Sequence, residues 1–260
     1  KILVDELAPQ SHATDVTLTT GKNITGANTQ FKITGGSSGD VLTTNGSGLL
    51  SFGAMAGFAD VHTDVSSGSE IYTVPTGITK LLVIITGGGG SGSAGITAAS
   101  NGGGGCSAGT VMARVTVVAG DTITIVVGAG GADSANSSSA AGNVGGDSTF
   151  TYTSGSGSFD TITAPGGRAG VVYNSMIAAP VAPTVGASNS GIAIKGGSPG
   201  GDNNGAASFW GSGGTRGLAT ISRGTVGVAF GSGGGGGTYT ASIYTGSAGA
   251  DGVCFIMEFK

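Results

Sequence analysis

The side chains best suited to chemistry are few, and they fall late in the chain. Tyr173, Asn174, Trp210, Arg216 and Arg223 all lie between residues 161 and 250. Aromatic faces stack on sugar rings, amides bond hydroxyls, and guanidinium groups grip carboxylates or phosphates. These five are the candidates for ligand contact. Two roles fit Trp210, the single tryptophan: packing in a core, or contact with a ligand. Arg216 and Arg223 fit either structural hydrogen bonding or contact with an anion. Over 161–250 four cations (Arg168, Lys195, Arg216, Arg223) face one acid, Asp202, in a chain whose net charge is −4. That local excess of positive charge suits an acidic polysaccharide.

Other chemistries find less support. Glycosidic cleavage needs two carboxyls at a set separation. The acids Asp133, Asp147, Asp160, Asp202, Asp251 and Glu258 are scattered, and only assembly across subunits would pair them, so no enzyme is expected. Lys195-Gly196-Gly197-Ser198 does not complete a phosphate-binding loop. His12 and His62 stand far apart, and Cys106 and Cys254 form no Cys-x-x-Cys, so neither metal nor cofactor is expected. The two cysteines allow one disulfide, although Cys254 sits in an apolar run and reads as a small buried hydrophobe. The acidic net charge gives no support for a nucleic-acid partner. No run approaches the 18 or so apolar residues of a membrane helix. Lys1 fits either a cleavage product or a piece of a longer chain.

What must position these side chains is unusual. Glycine supplies 56 of 260 residues, about three times ordinary usage. It runs in tracts: Gly87, Gly88, Gly89 and Gly90; Gly102, Gly103, Gly104 and Gly105; Gly233, Gly234, Gly235, Gly236 and Gly237. Glycine loses more backbone entropy on ordering than any other residue, so a folded chain must recover that loss elsewhere. Six prolines and contiguous glycines exclude collagen. Two readings remain for the tracts. They are extended polyproline-II-like segments packed backbone to backbone, or they are loops that use positive φ. Charged residues make up only 9%, against about 25% in an ordinary soluble domain, which suits an extracellular or particle-borne structural protein.

The fold class expected is all-β, in two parts. Residues 1–60 read as short hairpins at 16–20, 30–34, 40–44 and 49–52, with Asn45-Gly46 a strong turn signal. Such hairpins cannot bury a core alone. Val16, Leu18, Phe31, Ile33, Val41 and Leu49 would instead face a shared axis in an oligomeric, intertwined shaft, with 54–60 as its neck. Residues 61–260 read as a sandwich-like glycine-rich domain. Strands are expected at 78–86, 110–118, 122–127 and 253–259. The Ala119-Gly120-Asp121 turn is expected to close a hairpin, and the last strand is expected to complete the sheet begun at 78–86. The excursion 128–252 between them is where variation and binding are expected.

Val74-Pro75-Thr76-Gly77-Ile78-Thr79-Lys80-Leu81-Leu82-Val83-Ile84-Ile85-Thr86-Gly87-Gly88-Gly89-Gly90 resembles the opening of the glycine-rich domain of bacteriophage tail fibres. Gly102-Gly103-Gly104-Gly105-Cys106-Ser107-Ala108-Gly109, with Val115 to Gly131, resembles its middle. Gly249-Ala250-Asp251-Gly252-Val253-Cys254-Phe255-Ile256-Met257-Glu258-Phe259 resembles its closing strand. Asp40-Val41-Leu42-Thr43-Thr44-Asn45-Gly46-Ser47-Gly48-Leu49-Leu50-Ser51-Phe52 is similar to a repeat of phage fibre shafts. The resemblance implies a homotrimeric, distal, host-recognising module on a virion, with packed polyglycine helices beneath variable loops. It further implies attachment to other tail or fibre proteins at the N-terminal end, and a host glycan or outer-membrane protein as receptor. A structural decoration without a receptor, or a bacterial surface protein, shares the same scaffold.

Overall fold

The computed structural model describes residues 40–44, 50–54, 57–95, 101–135, 140–172, 180–199, 203–217, 223–238 and 244–260. All eleven elements among them are strands: β1 (Asp40–Thr44), β2 (Leu50–Ala54), β3 (Phe58–Asp64), β4 (Gly68–Thr73), β5 (Lys80–Thr86), β6 (Thr110–Thr116), β7 (Thr122–Val127), β8 (Ser148–Ser154), β9 (Ile162–Ala164), β10 (Ser190–Ile194) and β11 (Val253–Phe259). The chain divides into two compact units, Lys1–Met55 and Ala56–Lys260.

In the first unit β1 and β2 pair antiparallel, with Thr44 opposite Leu50 and Leu42 opposite Phe52. Leu42 and Phe52 are both exposed. The strands expected at 16–20 and 30–34 lie outside the described residues.

In the second unit two antiparallel sheets enclose one apolar core. One has the order β10-β6-β5-β11-β3, the other β4-β7-β8-β9. Alternation builds both inner faces. Leu81, Val83 and Ile85 of β5 are fully buried, as are Val111 of β6, Ile123 and Ile125 of β7, Phe150 of β8 and Ile256 of β11. β5 packs against β8 and β9, and β11 against β7. Each such side chain contributes about 1.5–3 kcal/mol by leaving water. The last strand completes the sheet of β5 as expected, with Val253 opposite Thr86 and Phe259 opposite Lys80.

The expected hairpin of residues 110–127 does not form. β6 pairs with β5 and β10, whereas β7 pairs with β4 and β8. Both strands carry one strongly apolar face, and such faces cover each other better across a core than side by side. The chain therefore crosses between sheets at Ala119-Gly120-Asp121, where Gly120 takes φ 88°. Asp121 fixes the crossing. Its carboxylate accepts N–H groups of Val118 (2.8 Å), Ser156 (2.9 Å) and Gly157 (3.1 Å). Burial pushes this carboxyl up, but the three amide donors outweigh burial and hold it below the usual carboxylate range.

Beyond the strand ends, the glycine tracts pack against one another. The amides of 87–95 donate in rotation to three neighbours. Gly87, Gly90 and Ser93 reach the carbonyls of Gly109, Cys106 and Gly103. Gly88, Ser91 and Ala94 reach Gly146, Asn143 and Ala140, while Gly89, Gly92 and Gly95 reach Ala250, Ser247 and Tyr244. The carbonyls rotate too: Gly88 and Ser91 accept from Gly167 and Gly170, Gly90 and Ser93 from Gly234 and Gly237, and Gly89 from Gly131. Segment 87–95 is thus ringed by six others. The sheet pairings run on into this layer, because the β5–β6 ladder ends at Thr86 opposite Thr110 and continues as Gly87 to Gly109.

The tract glycines are not there for left-handed backbone. Positive φ among the described glycines occurs at Gly68, Gly77, Gly120, Gly155, Gly186, Gly211 and Gly231, and at none of the three tracts. They are glycine because neighbours occupy the place of a side chain. A Cβ at Gly88, Gly89 or Gly90 would lie under 3.0 Å from the backbone carbonyl of Ala129, Ser232 or Arg168. The reading of the tracts as positive-φ loops is therefore set aside.

A Cβ at Gly104 or Gly235 meets the carbonyl of Asn204 or Thr215. Gly104→Val and Gly235→Val should each lower stability by more than about 3 kcal/mol, beyond ordinary overpacking, because backbone cannot swing aside. Gly57→Ala, with nothing within 4 Å of the added atom, should stay within about 0.5 kcal/mol. Urea unfolding of the three variants checks this. For Asp121, a depressed folded pKa means its stabilisation is complete above the unfolded value of about 3.9 and drains away as pH falls through the folded value. Asp121→Asn should therefore be less stable than wild type at pH 7, with the gap narrowing below about pH 4 in unfolding curves taken across that range.

Candidate functional site

Trp210 sits on a tight turn. The amide of Ser208 donates to the Gly211 carbonyl at 2.8 Å, and the amide of Trp210 donates to the Ser208 hydroxyl at 3.1 Å. Gly211 takes φ 150°, which side-chain-bearing residues rarely adopt. The turn throws Phe209 outward and lays Trp210, half-buried, over the outer face of β11 and β5. Its ring centroid lies 5.2 Å from Phe255, 5.1 Å from Phe209 and 6.3 Å from Phe230. Its indole N–H donates to the Thr86 hydroxyl at 2.8 Å, and Thr86 in turn meets Thr110 at 2.9 Å.

Trp210 lines a groove of about 560 Å3 together with Val65, Val228, Ala229, Phe230 and Asp251. Val65 and Val228 are exposed. The walls are apolar and one carboxylate stands among them, its Oδ1 accepting the amide of Gly130 at 2.7 Å. Among the described residues no cation lines this groove. Its chemistry suits the C–H face of an uncharged sugar, not a polyanion.

Of the other expected contacts, Arg216 and Arg223 do not line this groove. Tyr173 and Asn174 are outside the described residues. The amide of Arg216 donates to the Asn204 side-chain oxygen at 2.8 Å. The guanidinium of Arg223 pairs with Asp133, whose other oxygen accepts the amide of Ala248 at 2.8 Å. Arg223 thus ties chain segments together, and it does not line the Trp210 groove. Apart from Glu258, the described carboxylates considered for catalysis also hold backbone. Asp147 accepts the amide of Gly166, and Asp160 that of Ser188, which holds the Asp160 carboxyl below its ordinary range. Glu258 is buried and accepts the Tyr72 hydroxyl at 2.7 Å; burial first, and then this carboxylate, push the phenol up.

Cys106 and Cys254 are both buried free thiols. Burial pushes Cys106 up to about 11 and raises Cys254 as well, so neither is a reactive thiolate. Among the described residues no group of three His, Cys, Asp or Glu is placed to hold a metal.

Two groups escaped the sequence reading. Thr86, which anchors the indole, looked like an ordinary strand end. Lys80, Arg114 and Lys260 gather around a second cavity on the same sheet. Arg114 could be placed on the outer face from the alternation of β6, but only strand register brings it to Leu82.

Trp210→Ala should lower stability by about 2–3 kcal/mol, since half the ring is packed. Trp210→Phe should cost less, because Thr86 keeps Thr110 as a partner. Denaturant unfolding of both variants gives the comparison, and an unchanged Trp210→Ala would mean that the ring packs against nothing.

No curated protein matches this chain. Among protein families, one described as a glycine-rich domain matches residues 63–257. That span takes in β4 to β10, parts of β3 and β11 and the whole glycine layer, and the chain belongs to this glycine-rich domain family.

Proposed function

We propose that this chain is a bacteriophage tail-fibre or other virion-fibre protein that attaches to a host cell surface. In this reading, residues 1–55 form an intertwined hairpin shaft in a homotrimer, whereas residues 58–60, expected as part of the neck, belong to β3 of the five-stranded sheet. The N-terminal end joins other tail or fibre proteins, and the glycine-rich domain lies distally, outside the cell, and meets a surface glycan or an outer-membrane protein.

The observation that carries the reading is the glycine layer. Its three-residue rotation of donors matches polyproline II, which has three residues per turn and no internal hydrogen bonds. Backbone bonds between neighbouring segments would then replace a side-chain core. Such a layer needs few charges and almost no apolar volume, and it holds connecting loops on a stiff base. Loops on a stiff base are where binding is usually carried. The Trp210 groove opens beside the layer and offers a sugar-sized apolar surface. The exposed pair Leu42 and Phe52 supports the trimeric shaft, because two short strands leave apolar side chains that neighbouring chains would cover. Three copies would turn weak contacts into avid attachment.

A structural decoration with no receptor is the second reading. It is favoured by the internal engagement of Trp210 with Thr86 and of Arg223 with Asp133.

Sedimentation and cell adsorption test both. The purified chain should sediment as a trimer at micromolar concentration, and a stable folded monomer would remove the shaft. The protein should adsorb to its host, and purified host polysaccharide should compete. Adsorption lost on protease treatment of the cells, with no competition by glycan, would move the receptor to an outer-membrane protein. Equal adsorption to unrelated cells would leave decoration as the function.

A further inference from the structure

A cavity of about 380 Å3 opens on the outer face of the five-stranded sheet, lined by Gly57, Lys80, Leu82, Arg114, Phe259 and Lys260. Register explains why these residues meet. Lys80 of β5 stands opposite Phe259 of β11, and Leu82 of β5 stands opposite Arg114 of β6. Lys80 and Leu82 alternate with fully buried Leu81 and Val83, and Arg114 lies between buried Ala113 and Val115. All therefore share the face turned from the core. The amide of Lys260 donates to the Gly57 carbonyl at 3.0 Å, which holds the end of β11 against the entry to β3. Phe58 meets Phe259 edge-on at 6.1 Å and extends the apolar wall.

The charge here is out of keeping with the chain. Ten Lys and Arg are set against 14 acids, yet three of the ten surround one small cavity. Lys80, Arg114 and Lys260 are all exposed. Among the described residues the ion pairs are His62–Glu70 and Arg223–Asp133, so no described carboxylate lies within 4.0 Å of the charged groups of these three. Like charges around one concavity repel and leave a positive potential that an anion relieves. A guanidinium fork grips a carboxylate or phosphate through two bonds, and an ammonium adds a point charge. Leu82 and Phe259 supply an apolar surface beside the cations, and the volume falls in the range of small-ligand pockets, about 300–1,000 Å3.

We propose that this cavity binds an anionic sugar, with Arg114 and Lys80 on its carboxylate or phosphate and Leu82 and Phe259 against its ring. The proposal rests on the attachment reading and gives it a ligand class. It also separates two chemistries on one sheet: a neutral sugar face at Trp210, with Asp251 on its wall, and an acidic sugar at Arg114.

Calorimetric titration of the full chain with a galacturonic-acid oligosaccharide, a sugar phosphate and a neutral glucose oligosaccharide tests it. Wild type should bind at least one anionic probe, more weakly as salt rises, and which probe binds tells uronic acid from phosphate. Arg114→Ala should lower that affinity at least tenfold, and Arg114→Lys should keep part of it. Arg114 is exposed, and matched thermal melts confirm that its variants stay folded. Failure of both anionic probes to bind wild type, or equal binding by Arg114→Ala, overturns the proposal. Cell adsorption separates the two readings. Wild type and a Lys80→Glu, Arg114→Glu variant adsorbing equally would sink this site and spare attachment. A chain that binds the anionic probe through Arg114 but adsorbs to no cell would uphold this site and sink attachment.

Discussion

The amide of Gly90 reaches the carbonyl of Cys106 at 2.9 Å, and the carbonyl of Gly90 accepts the amide of Gly234 at 2.9 Å. Gly89 and Gly105 repeat that arrangement, each donating its amide to one neighbouring segment and accepting from another. Two backbones come close enough to bond, and the carbonyl of a third, Arg168, stands where a Cβ on Gly90 would be. A backbone amide left unpaired away from water costs about 1–3 kcal/mol, so the layer is stable only if its bonds are made together. Closeness is the condition, and the absence of a side chain is what permits it. The entropy lost by ordering so many glycines is offset by this pairing and by backbone contacts that no larger residue could make.

The sheets and the layer are one construction. Segment 87–95 continues β5, segment 102–109 leads into β6, and segment 244–252 leads into β11. In the sheet, β5 lies between β6 and β11, with alternating side chains filling the core. Past Thr86 the same neighbours remain, but the bonding period changes from two residues to three, and the chain bonds all round instead of to two sides. The sandwich therefore sets the register of the layer. In return the layer covers the end of the sandwich where Thr86, Thr110 and Ser148 are buried. The Ser148 hydroxyl marks the join, accepting the amide of Gly128 and donating to the carbonyl of Thr86, both at 2.8 Å.

Much of this was legible in the sequence because strand signals are local. The alternation of Leu81, Val83 and Ile85 and the apolar run around Cys254 and Ile256 placed β5 and β11, and the liability of an open apolar edge paired them. The crossing at Ala119-Gly120-Asp121 was not legible. A short turn between two alternating runs looks the same whether the strands lie side by side or face each other across a core. What distinguishes them here is Asp121 binding the amides of Ser156 and Gly157, a contact that joins distant parts of the chain. The candidate site was legible only as residue types. Trp210 was visible as the single indole, but its anchor at Thr86 and the acid beside its groove depend on how the excursion returns to the sheet. The excess of positive charge over 161–250 pointed to an acidic ligand near Trp210. The unpaired cations gathered around one cavity are instead Lys80, Arg114 and Lys260, outside that stretch and brought together by register alone.

Amide hydrogen exchange, read residue by residue, tests most directly whether backbone packing of the glycines holds the domain together. The amides of Gly88, Gly89, Gly90, Gly105 and Gly234 should exchange as slowly as those of Val83 and Ile256 in the sheet core, opening only when the whole domain opens. Exchange of the tract amides at the rate of an unstructured peptide, with the sheet still protected, would contradict the account and leave the tracts as solvated loops on a self-sufficient sandwich.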